Sequence, residues 1–236
     1  MVQYSGIQVS EYLTDTYAET VKTKIIASGE RDGTGWVAVE RSLFHPQGGG
    51  QPADRGRLDE HEVLPVRDHD LGLITLSSAD GTALPALADG DTVVTRIDLG
   101  LRLLHAALHT AGHLVEAVVR SHGWTTVGNN HFPGQARVEF QTGSPDPRLA
   151  DPEGREAVTG ELREAIARAI EADLPVGAGH DGDGRRLIRL GDIHTAPCGG
   201  THVRSLGELA HVTLPALRVK KGRIKVSYSA EHRAAS

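Results

Sequence analysis

The feature that most constrains this chain is a set of metal-ligating side chains divided between two distant segments. Residues 109–113, HTAGH, carry two histidines four positions apart, and residues 198–202, CGGTH, carry a cysteine and a histidine at the same spacing. On a helix, positions i and i+4 lie on one face about 5–6 Å apart. We predict that the fold joins both pairs in one metal site, formed by His109, His113, Cys198 and His202.

Zinc is the metal that this donor set predicts. Three imidazole nitrogens and one thiolate are borderline-soft ligands in the number that tetrahedral Zn²⁺ prefers. Among thirteen histidines an HxxxH pair arises easily by chance, but its combination with the only cysteine of the chain favours a shared site. Thr110 stands where an HExxH metalloprotease helix has its glutamate, so that class of enzyme is excluded.

Composition indicates an ordinary globular protein. The chain has 236 residues, of which 24% are charged and 39% hydrophobic. No apolar run has membrane-spanning length, and the first ten residues lack the basic start and hydrophobic stretch of a signal peptide. With one cysteine no internal disulfide can form, so we expect a cytoplasmic protein. The net charge of -6 argues against a protein that coats nucleic acid generally.

One segment departs from this acidic balance. Residues 216–229, ALRVKKGRIKVSYS, contain five basic side chains and no acid, and Gly222 offers a turn between two short alternating runs. By itself the pattern favours a solvated edge strand that its charges protect from aggregation. The functional interpretation is a ribbon that tracks nucleic-acid phosphates through Arg218, Lys220, Lys221, Arg223 and Lys225.

The periodicity of apolar residues predicts an α+β protein. Residues 17–95 show short β-type runs broken by turn residues, which is typical of a small barrel or sandwich. Leucines and valines then recur at helical intervals over residues 98–122, with Asp98 as N-cap and Gly123 as terminator, and again over residues 153–173. Strands are expected elsewhere, including ARVEFQT before residue 143. We place the domain boundary between residues 96 and 97.

Three motifs resemble the freestanding AlaX-type alanyl-tRNA editing proteins, which are similar to the editing domain of alanyl-tRNA synthetases. They are HTAGHLV, PCGGTHV and the glycine-rich FHPQGGGQPADRG of residues 44–56. The resemblance implies a small β-barrel-like domain over residues 1–96 and an α/β two-layer editing domain with a zinc site over residues 97–236. It also implies an activity: hydrolysis, in trans, of the ester joining a wrong amino acid to the acceptor end of tRNA, with Ser- or Gly-tRNA(Ala) as substrate.

The resemblance assigns roles to individual residues. Zinc ligation passes to the four residues named above. We take Gln51, Thr110 and Cys198 as the candidate catalytic residues, with a capped or simply packed threonine as the equal alternative for Thr110. In the glycine-rich turn, backbone N–H groups would hold the acyl carbonyl or the terminal ribose; taken alone, the same glycines favour an ordinary β-turn. The candidate substrate-binding residues are Gly48, Gly49, Gly50, Gln51 and Gly112.

Several alternatives stay open at this stage. Four protein ligands leave no position for water, so either Cys198 or His202 is labile or the metal is structural. Gly112 and the GDIHTAPC stretch with His194 depart from the family pattern, and we expect Gly112 to leave space beside the substrate. His105 is expected at the surface or behind a ligand, and His131 and His194 are either candidates for proton transfer or ordinary loop residues. The rival functions are deacylation of tRNA(Thr) carrying Thr or a Thr-like analogue, and a noncatalytic zinc-stapled tRNA-binding module.

Overall fold

The computed structural model describes residues 6–144 and 146–233, and these form two compact units. The first unit runs up to Gly48 and from Pro52 to Arg102. The second contains Gly49–Gln51 and continues from Leu103. Strands dominate and two α-helices are present in the described residues, which confirms the α+β class. The division between the units at Arg102 and Leu103 lies close to the expected domain boundary between residues 96 and 97. That boundary stays a prediction, because the terminal residues of both proposed domains are outside the described part.

Six strands of the first unit close into an antiparallel barrel. Their order around it is β2-β3-β7-β6-β5-β8. The remaining two short strands pair in parallel with each other. The strands are β1 Val9–Ser10, β2 Thr20–Arg31, β3 Thr34–Val39, β4 Arg41–Ser42, β5 Gly56–Leu58, β6 His61–Asp68, β7 Leu73–Ser78 and β8 Thr92–Ile97.

Alternation of side chains explains how these strands form a barrel. In β8, Val93, Thr95 and Ile97 are buried while the residues between them are exposed, as expected for a strand with one face in the core. The sequence did not identify β5 or β6. β5 has only three residues, and β6 contains Pro65, which normally argues against a strand because proline cannot donate to the hydrogen-bond ladder.

A buried ion pair holds the glycine-rich segment to the start of the first helix within this unit. Arg102 is fully buried, and its Nε donates to Asp54 Oδ1 at 2.9 Å while its Nη2 donates to the Leu43 carbonyl at 2.6 Å. The Asp54 carboxylate also accepts the backbone N–H of His45 at 2.5 Å. Every charge of the pair is therefore compensated, which is what a buried ion pair requires.

The second unit packs two helices against small antiparallel sheets. One sheet has the order β15-β16-β10-β9, a second has the order β11-β12-β13, and β14 pairs with β17. The helices are α1 Leu99–Val118, whose first residues belong to the first unit, and α2 Pro152–Glu171. The strands are β9 Thr125–Asn130, β10 Arg137–Gln141, β11 Val176–His180, β12 Arg186–Leu190, β13 His194–Pro197, β14 Leu209–Thr213, β15 Arg218–Lys220, β16 Arg223–Ser227 and β17 Ser229–His232.

The helix signals in the sequence are confirmed by the structure. Asp98 accepts the backbone N–H of Leu101 at 2.9 Å, and Gly123 ends the helical segment in the left-handed conformation with φ of 67°. The last turn, Val119–His122, is a 3₁₀ helix. Asp151 caps α2, which begins at Pro152, one residue before the expected region. Neither helix is long and apolar enough to cross a membrane.

Apolar residues from helices and sheet meet in one core in this unit. From α1 it receives Ala107, Leu108 and Leu114, and from α2 Val158 and Leu162. The four-stranded sheet contributes Val138, Phe140, Ile224 and Val226. Because α1 buries one face in this core, the positions of its histidines relative to the sheets are determined by packing.

Candidate functional site

The structure brings the two distant pairs of ligand residues together in the second unit. His109 and His113 project from α1, and Cys198 and His202 lie on the turn that follows β13. One ligand atom from each of the four residues lies within 4.8 Å of all the others. Cys198 Sγ is 3.2 Å from His202 Nε2 and 3.5 Å from His109 Nε2. These four residues, called the ligand cluster below, form the arrangement that their spacing predicted.

Gln51 determines which nitrogen of His109 faces the cluster. His109 Nδ1 lies 2.8 Å from Gln51 Oε1, which also accepts the backbone N–H of Thr201 at 3.0 Å, while Gln51 Nε2 donates to Thr201 Oγ1 at 2.9 Å. An amide oxygen can only accept, so His109 carries its hydrogen on Nδ1 and leaves Nε2 available toward Cys198. The fully buried Gln51 therefore orients the His109 ring; the predicted contact between Gln51 and substrate stays a prediction.

The other two histidines have the same orientation. His202 Nδ1 lies 3.1 Å from the Thr110 hydroxyl, which also accepts the backbone N–H of Val203. His113 Nδ1 lies 2.9 Å from Glu116 Oε2, and its Nε2 is buried without a hydrogen bond. Three Nε2 atoms and one sulfur thus form a donor set of the kind that fits zinc, each imidazole being hydrogen-bonded through its other nitrogen. Thr110 contacts His202, so its predicted catalytic role stays a prediction.

Two features explain the shape of the CGGTH turn. A Cβ atom on Gly200 would collide with the ring of His109 and would lie 2.7 Å from Gln51 Oε1, so only glycine allows this close approach. Arg186 on β12 donates through Nη1 to the Cys198 carbonyl at 2.7 Å and to the Gly200 carbonyl at 3.2 Å. The turn is held from both sides, and this places Cys198 and His202 against α1.

The structure corrects the expectation that Gly112 leaves open space. A Cβ at Gly112 would lie 2.5 Å from His131 Cε1 and 2.6 Å from the Tyr228 hydroxyl, so these two side chains occupy that volume. His131 Nδ1 lies 2.6 Å from the Tyr228 hydroxyl, and its ring stacks on His109 with 4.3 Å between centroids. Any influence of Gly112 on the substrate therefore acts through His131 and Tyr228.

The glycine-rich turn also faces His131. Gly49 and Gly50 adopt left-handed conformations with φ of 57° and 80°. A Cβ at Gly50 would lie 2.5 Å from Asn129 Oδ1 and 3.0 Å from His131 Cδ2, and the Gly50 carbonyl accepts the His131 N–H at 2.8 Å. Gly48 has no such restriction. The positive φ values explain two of the glycines, and the substrate role of all three stays a prediction.

Burial and neighbouring charges shift the pKa values of the histidines around the cluster. Burial lowers the pKa of His131 to about 4 and that of His194 to about 4. Burial also lowers the pKa of His113, but the adjacent Cys198 and Glu116 side chains outweigh it and raise the value to about 9. Burial raises the pKa of Tyr228 well above its ordinary value. Tyr228 is therefore a neutral phenol, and His131 and His194 are neutral imidazoles near pH 7.

His105 is buried, which rules out the surface position considered for it, and it belongs to neither ligand group found among the described residues. The second of those groups consists of His113, Glu116 and His194.

Sequence reasoning missed Glu116, Thr201, Arg186 and Tyr228. Only Glu116 had a visible signal, because position i+3 from His113 lies on the same helix face.

The basic segment forms an edge hairpin, as its alternation predicted. β15 is the edge strand, and Lys221 and Gly222 turn the chain with φ of 51° and 74°. The register places Arg218 opposite Lys225 and Lys220 opposite Arg223. Next to the hairpin lies a cavity of about 1080 Å³; its charged lining residues are Glu139, Arg155, Arg218, Lys220, Lys221, Arg223 and Lys225. Basic side chains therefore outnumber acids strongly on this surface.

Comparison with known proteins gives the same family that the motifs indicated. The family described as "Threonyl and Alanyl tRNA synthetase second additional domain" matches residues 186–222. The alanyl-tRNA editing protein AlaX-M of Pyrococcus horikoshii is 26% identical over 85% of this chain and 87% of its own length. AlaX-M of Methanosarcina acetivorans is 29% identical over 78% of this chain and 84% of its own length.

Alanine--tRNA ligases are similar as well. That of Methanothrix thermoacetophila is 30% identical over 83% of this chain, which corresponds to 23% of the ligase's length. The match therefore concerns one part of a much longer enzyme, whereas the AlaX-M proteins are matched nearly from end to end. The resemblance predicted from three short motifs is confirmed: over most of its length this chain is similar to alanyl-tRNA editing proteins.

Proposed function

We propose that this protein is a trans-acting aminoacyl-tRNA deacylase, which hydrolyses the ester between a wrong amino acid and tRNA(Ala). The observation that carries the proposal is the convergence of HTAGH and CGGTH in one buried ligand cluster, in a chain similar to alanyl-tRNA editing proteins along most of its length. The tRNA synthetase domain that matches residues 186–222 includes the CGGTH turn, which supports tRNA as the partner.

The cluster is a zinc site held by His109, His113, Cys198 and His202. Support comes from the grouping of three imidazoles around one thiol, each imidazole having its Nδ1 hydrogen-bonded to a residue outside the cluster. Bound zinc would polarise an ester carbonyl or a water molecule. Two roles are open to the metal. Either it is structural, or Cys198 or His202 is labile and its departure opens a coordination position for the substrate.

The chain's own residues position the reacting groups. Gln51 holds His109 in the tautomer that faces the cluster, and Thr110 holds the ring orientation of His202. The backbone N–H groups of Gly48, Gly49 and Gly50 bind the acyl carbonyl or terminal ribose; the positive φ of Gly49 and Gly50 lets this backbone approach a ligand closely. His131 and Tyr228 fill the space over Gly112, which favours a small acyl group.

The substrate carries a small amino acid. Serine, which has a hydroxyl group, is the first candidate, and glycine, which has no side chain, is the second. A site with fixed polar donors favours a hydroxyl over a methyl strongly, because an apolar group in its place leaves buried polar atoms unpaired. Alanine on its own tRNA is therefore spared. Threonine on tRNA(Thr), or a Thr-like analogue, is the alternative substrate.

The basic hairpin and its neighbouring cavity bind tRNA phosphates through Arg218, Lys220, Lys221, Arg223 and Lys225. The register supports this role, because like charges directly opposite each other in a hairpin destabilise it unless an anion compensates them. Arg223 lies 3.4 Å from Glu139, the one acid among the lining residues, so most of the positive charge is left for a ligand.

A panel of charged tRNAs tests the proposed function. The protein at substoichiometric concentration is given Ser-, Gly-, Ala- and Thr-charged tRNAs, and release of the amino acid is followed with time. We expect multiple turnovers on Ser- or Gly-tRNA(Ala), no loss of Ala-tRNA(Ala), and little activity in a His109→Ala variant. Rapid loss of alanine with Ser untouched contradicts the proposal, a preference for Thr esters selects the alternative substrate, and binding without turnover selects the noncatalytic module.

A further inference from the structure

A group of three polar side chains, two buried histidines and a partly buried glutamate, adjoins the ligand cluster on the outer side of His113. Glu116 lies one turn further along α1 and His194 begins β13. His113 Nδ1 is 2.9 Å from Glu116 Oε2 and 3.2 Å from His194 Nε2, and His194 Nε2 is 3.6 Å from the same carboxylate oxygen. The other oxygen of Glu116 accepts the hydroxyl of Thr126 on β9 at 3.0 Å. The carboxylate thus connects a helix and two strands.

The carboxylate makes His113 different from the other two imidazoles. Gln51 supplies an amide oxygen to His109, and Thr110 supplies a hydroxyl to His202. Only His113 has an anionic acceptor at its Nδ1 among these three. A carboxylate that accepts the outer N–H of a metal-bound imidazole fixes its tautomer and increases its basicity as a ligand. His113 is therefore the histidine best prepared to bind a cation through Nε2.

His194 packs against the bond between His113 and Glu116. Its ring is buried, its Nδ1 makes no hydrogen bond, and its Nε2 lies at the His113–Glu116 contact. The buried ring in this position covers one side of the Glu116 carboxylate, shields it from part of the solvent and restricts its rotamer. Water would otherwise compete for the carboxylate oxygens and weaken the bond from His113.

The same three residues could in principle hold a second metal, because their ligand atoms lie within 4.8 Å of one another. That arrangement would require His113 to bridge two ions through both ring nitrogens, with Nδ1 deprotonated. The Nδ1 to Oε2 distance of 2.9 Å is instead that of an ordinary N–H···O hydrogen bond. The geometry favours an outer support for one metal over a second metal site.

We propose that Glu116, with His194 packed beside it, is a positioning residue that holds His113 in its metal-binding tautomer and orientation. This inference rests on the metal site of the proposed function and adds two residues that lie outside all three motifs. Its consequence is a metal affinity that depends on side chains with no direct contact to the metal.

The test is the zinc affinity of the full-length protein, measured by competition with a chromogenic chelator, for wild type and the variants Glu116→Gln, Glu116→Leu and His194→Leu. We expect one zinc per wild-type chain and an affinity about 10–100-fold weaker for Glu116→Leu, the range found when an outer partner of a metal-bound histidine is removed. Glu116→Gln should recover part of this affinity, because its amide oxygen still accepts from His113. His194→Leu should weaken binding less than Glu116→Leu.

Two further measurements separate positioning from general destabilisation. The absorption spectrum of the cobalt-substituted protein should shift in Glu116→Leu, since the geometry and basicity of a ligand change, and should return toward wild type in Glu116→Gln. Glu164→Leu, an exposed acid on α2, is the matched control and should leave affinity and spectrum unchanged. Should Glu116→Leu fail to fold, the nearly isosteric Glu116→Gln and the His194→Leu variant still test the proposal.

The outcomes are distinct. Wild type that binds zinc while all three variants bind it equally well overturns this inference and leaves the proposed function intact. Wild type without affinity for zinc overturns both the metal site and the inference. Two zinc ions per wild-type chain, one of them absent from His194→Leu, overturns the inference in favour of the second metal site.

Discussion

At the scale of single residues, the most demanding position near the ligand cluster is Gly200. Its backbone approaches the ring of His109 and Gln51 so closely that any side chain must displace one of them. Gly199, its neighbour, has nothing within 4 Å of an added Cβ. Of the two adjacent glycines in this motif, only Gly200 lacks space for a side chain, and alanine substitution at each position tests this difference.

We expect Gly200→Ala to weaken zinc binding by about tenfold or more, because it displaces a ligand together with the amide that orients it. Gly199→Ala is the control and should bind zinc as wild type does. Metal content after gel filtration and chelator competition measure both. Equal affinities in the two variants would contradict the close approach at Gly200.

Asp68 shows how one buried carboxylate can make the barrel sensitive to pH. It accepts the backbone N–H groups of Leu71 and Asp70, both at 3.0 Å, and pairs with Arg31. The backbone hydrogen bond from Leu71 and the Arg31 pair outweigh burial and hold its pKa below the ordinary value of 3.8. A lowered pKa in the folded state means that the carboxylate stabilises the fold above pH 3.8 and loses this effect as the pH falls through the lower value.

Asp68→Asn should therefore lower the free energy of unfolding by about 1.5–3 kcal/mol at pH 7, the usual contribution of hydrogen bonds to a charged group. The difference from wild type should shrink below pH 3.8. The free energy of unfolding of the barrel is measured by urea unfolding, followed by the fluorescence of Trp36. A Trp124→Phe background removes the signal of the other tryptophan. Asp70→Asn is the exposed control. A difference that stays constant into acid would show that charge is not its cause.

At the scale of elements, the interior of each long helix contains a glycine with a different environment. Gly112 in α1 lies against His131 and Tyr228, whereas Gly160 in α2 has open space around it. Alanine is favoured over glycine inside a helix by about 0.8–1 kcal/mol when nothing obstructs it. The same substitution should therefore have opposite effects in the two helices.

Gly160→Ala should stabilise the protein by up to about 1 kcal/mol, and Gly112→Ala should destabilise it because the new methyl group displaces the His131–Tyr228 pair. Chemical denaturation of both variants, followed by circular dichroism, gives the two signs. Stabilisation by Gly112→Ala would mean that the space over this glycine is open.

The basic hairpin of β15 and β16 has a separate test as an element. Lys220→Gln with Lys221→Gln, and Arg223→Gln with Lys225→Gln, each remove two positive charges from its surface. Each pair should weaken tRNA binding and reduce the slope of log affinity against log salt by roughly 1 for each phosphate that the variant no longer binds. Lys22→Gln with Lys24→Gln, exposed on β2 of the barrel, is the control. An unchanged slope would leave the hairpin as a solvated edge.

At the scale of the whole molecule, we expect the proposed metal binding to be linked to folding, because the cluster joins α1 to a turn far along the chain. A ligand at 1,000 times its dissociation constant stabilises the native state by about 4.1 kcal/mol. For a chain of this length that corresponds to a rise in melting temperature of roughly 8–16 °C, at 2–4 °C per kcal/mol.

Zinc should therefore raise the melting temperature progressively with its free concentration, and exhaustive chelation should reverse the shift. A double variant, His109→Ala with Cys198→Ala, should melt at a temperature independent of zinc, and Mg²⁺ should have no effect on wild type. Differential scanning fluorimetry over a buffered zinc series measures this. A zinc-dependent shift that survives in the double variant would place the metal elsewhere.

The sequence alone was sufficient for the α+β class, both long helices, the two ends of the first helix, the basic edge hairpin and the choice of four residues that meet in the ligand cluster. Each depends on local or periodic information: helical spacing of apolar residues, the αL preference of Gly123, alternation around a turn, and donor types at fixed intervals. Strands β5, β6 and β9 were missed. β5 is very short, β6 contains Pro65, and β9 contains Gly and Asn residues, which are rare in strands. Only pairing within a sheet stabilises strands of this kind.

The surroundings of the ligand cluster were decided only by the tertiary structure. Glu116 could have been suspected from helix geometry, but Gln51, Thr201, His194 and Tyr228 come from segments whose proximity no local pattern reveals. The expectation of open space at Gly112 was wrong for this reason, since His131 and Tyr228 arrive from β-structure distant in the chain. Sequence spacing determines which side chains can share a helix face, whereas packing of sheets on that helix determines what surrounds them.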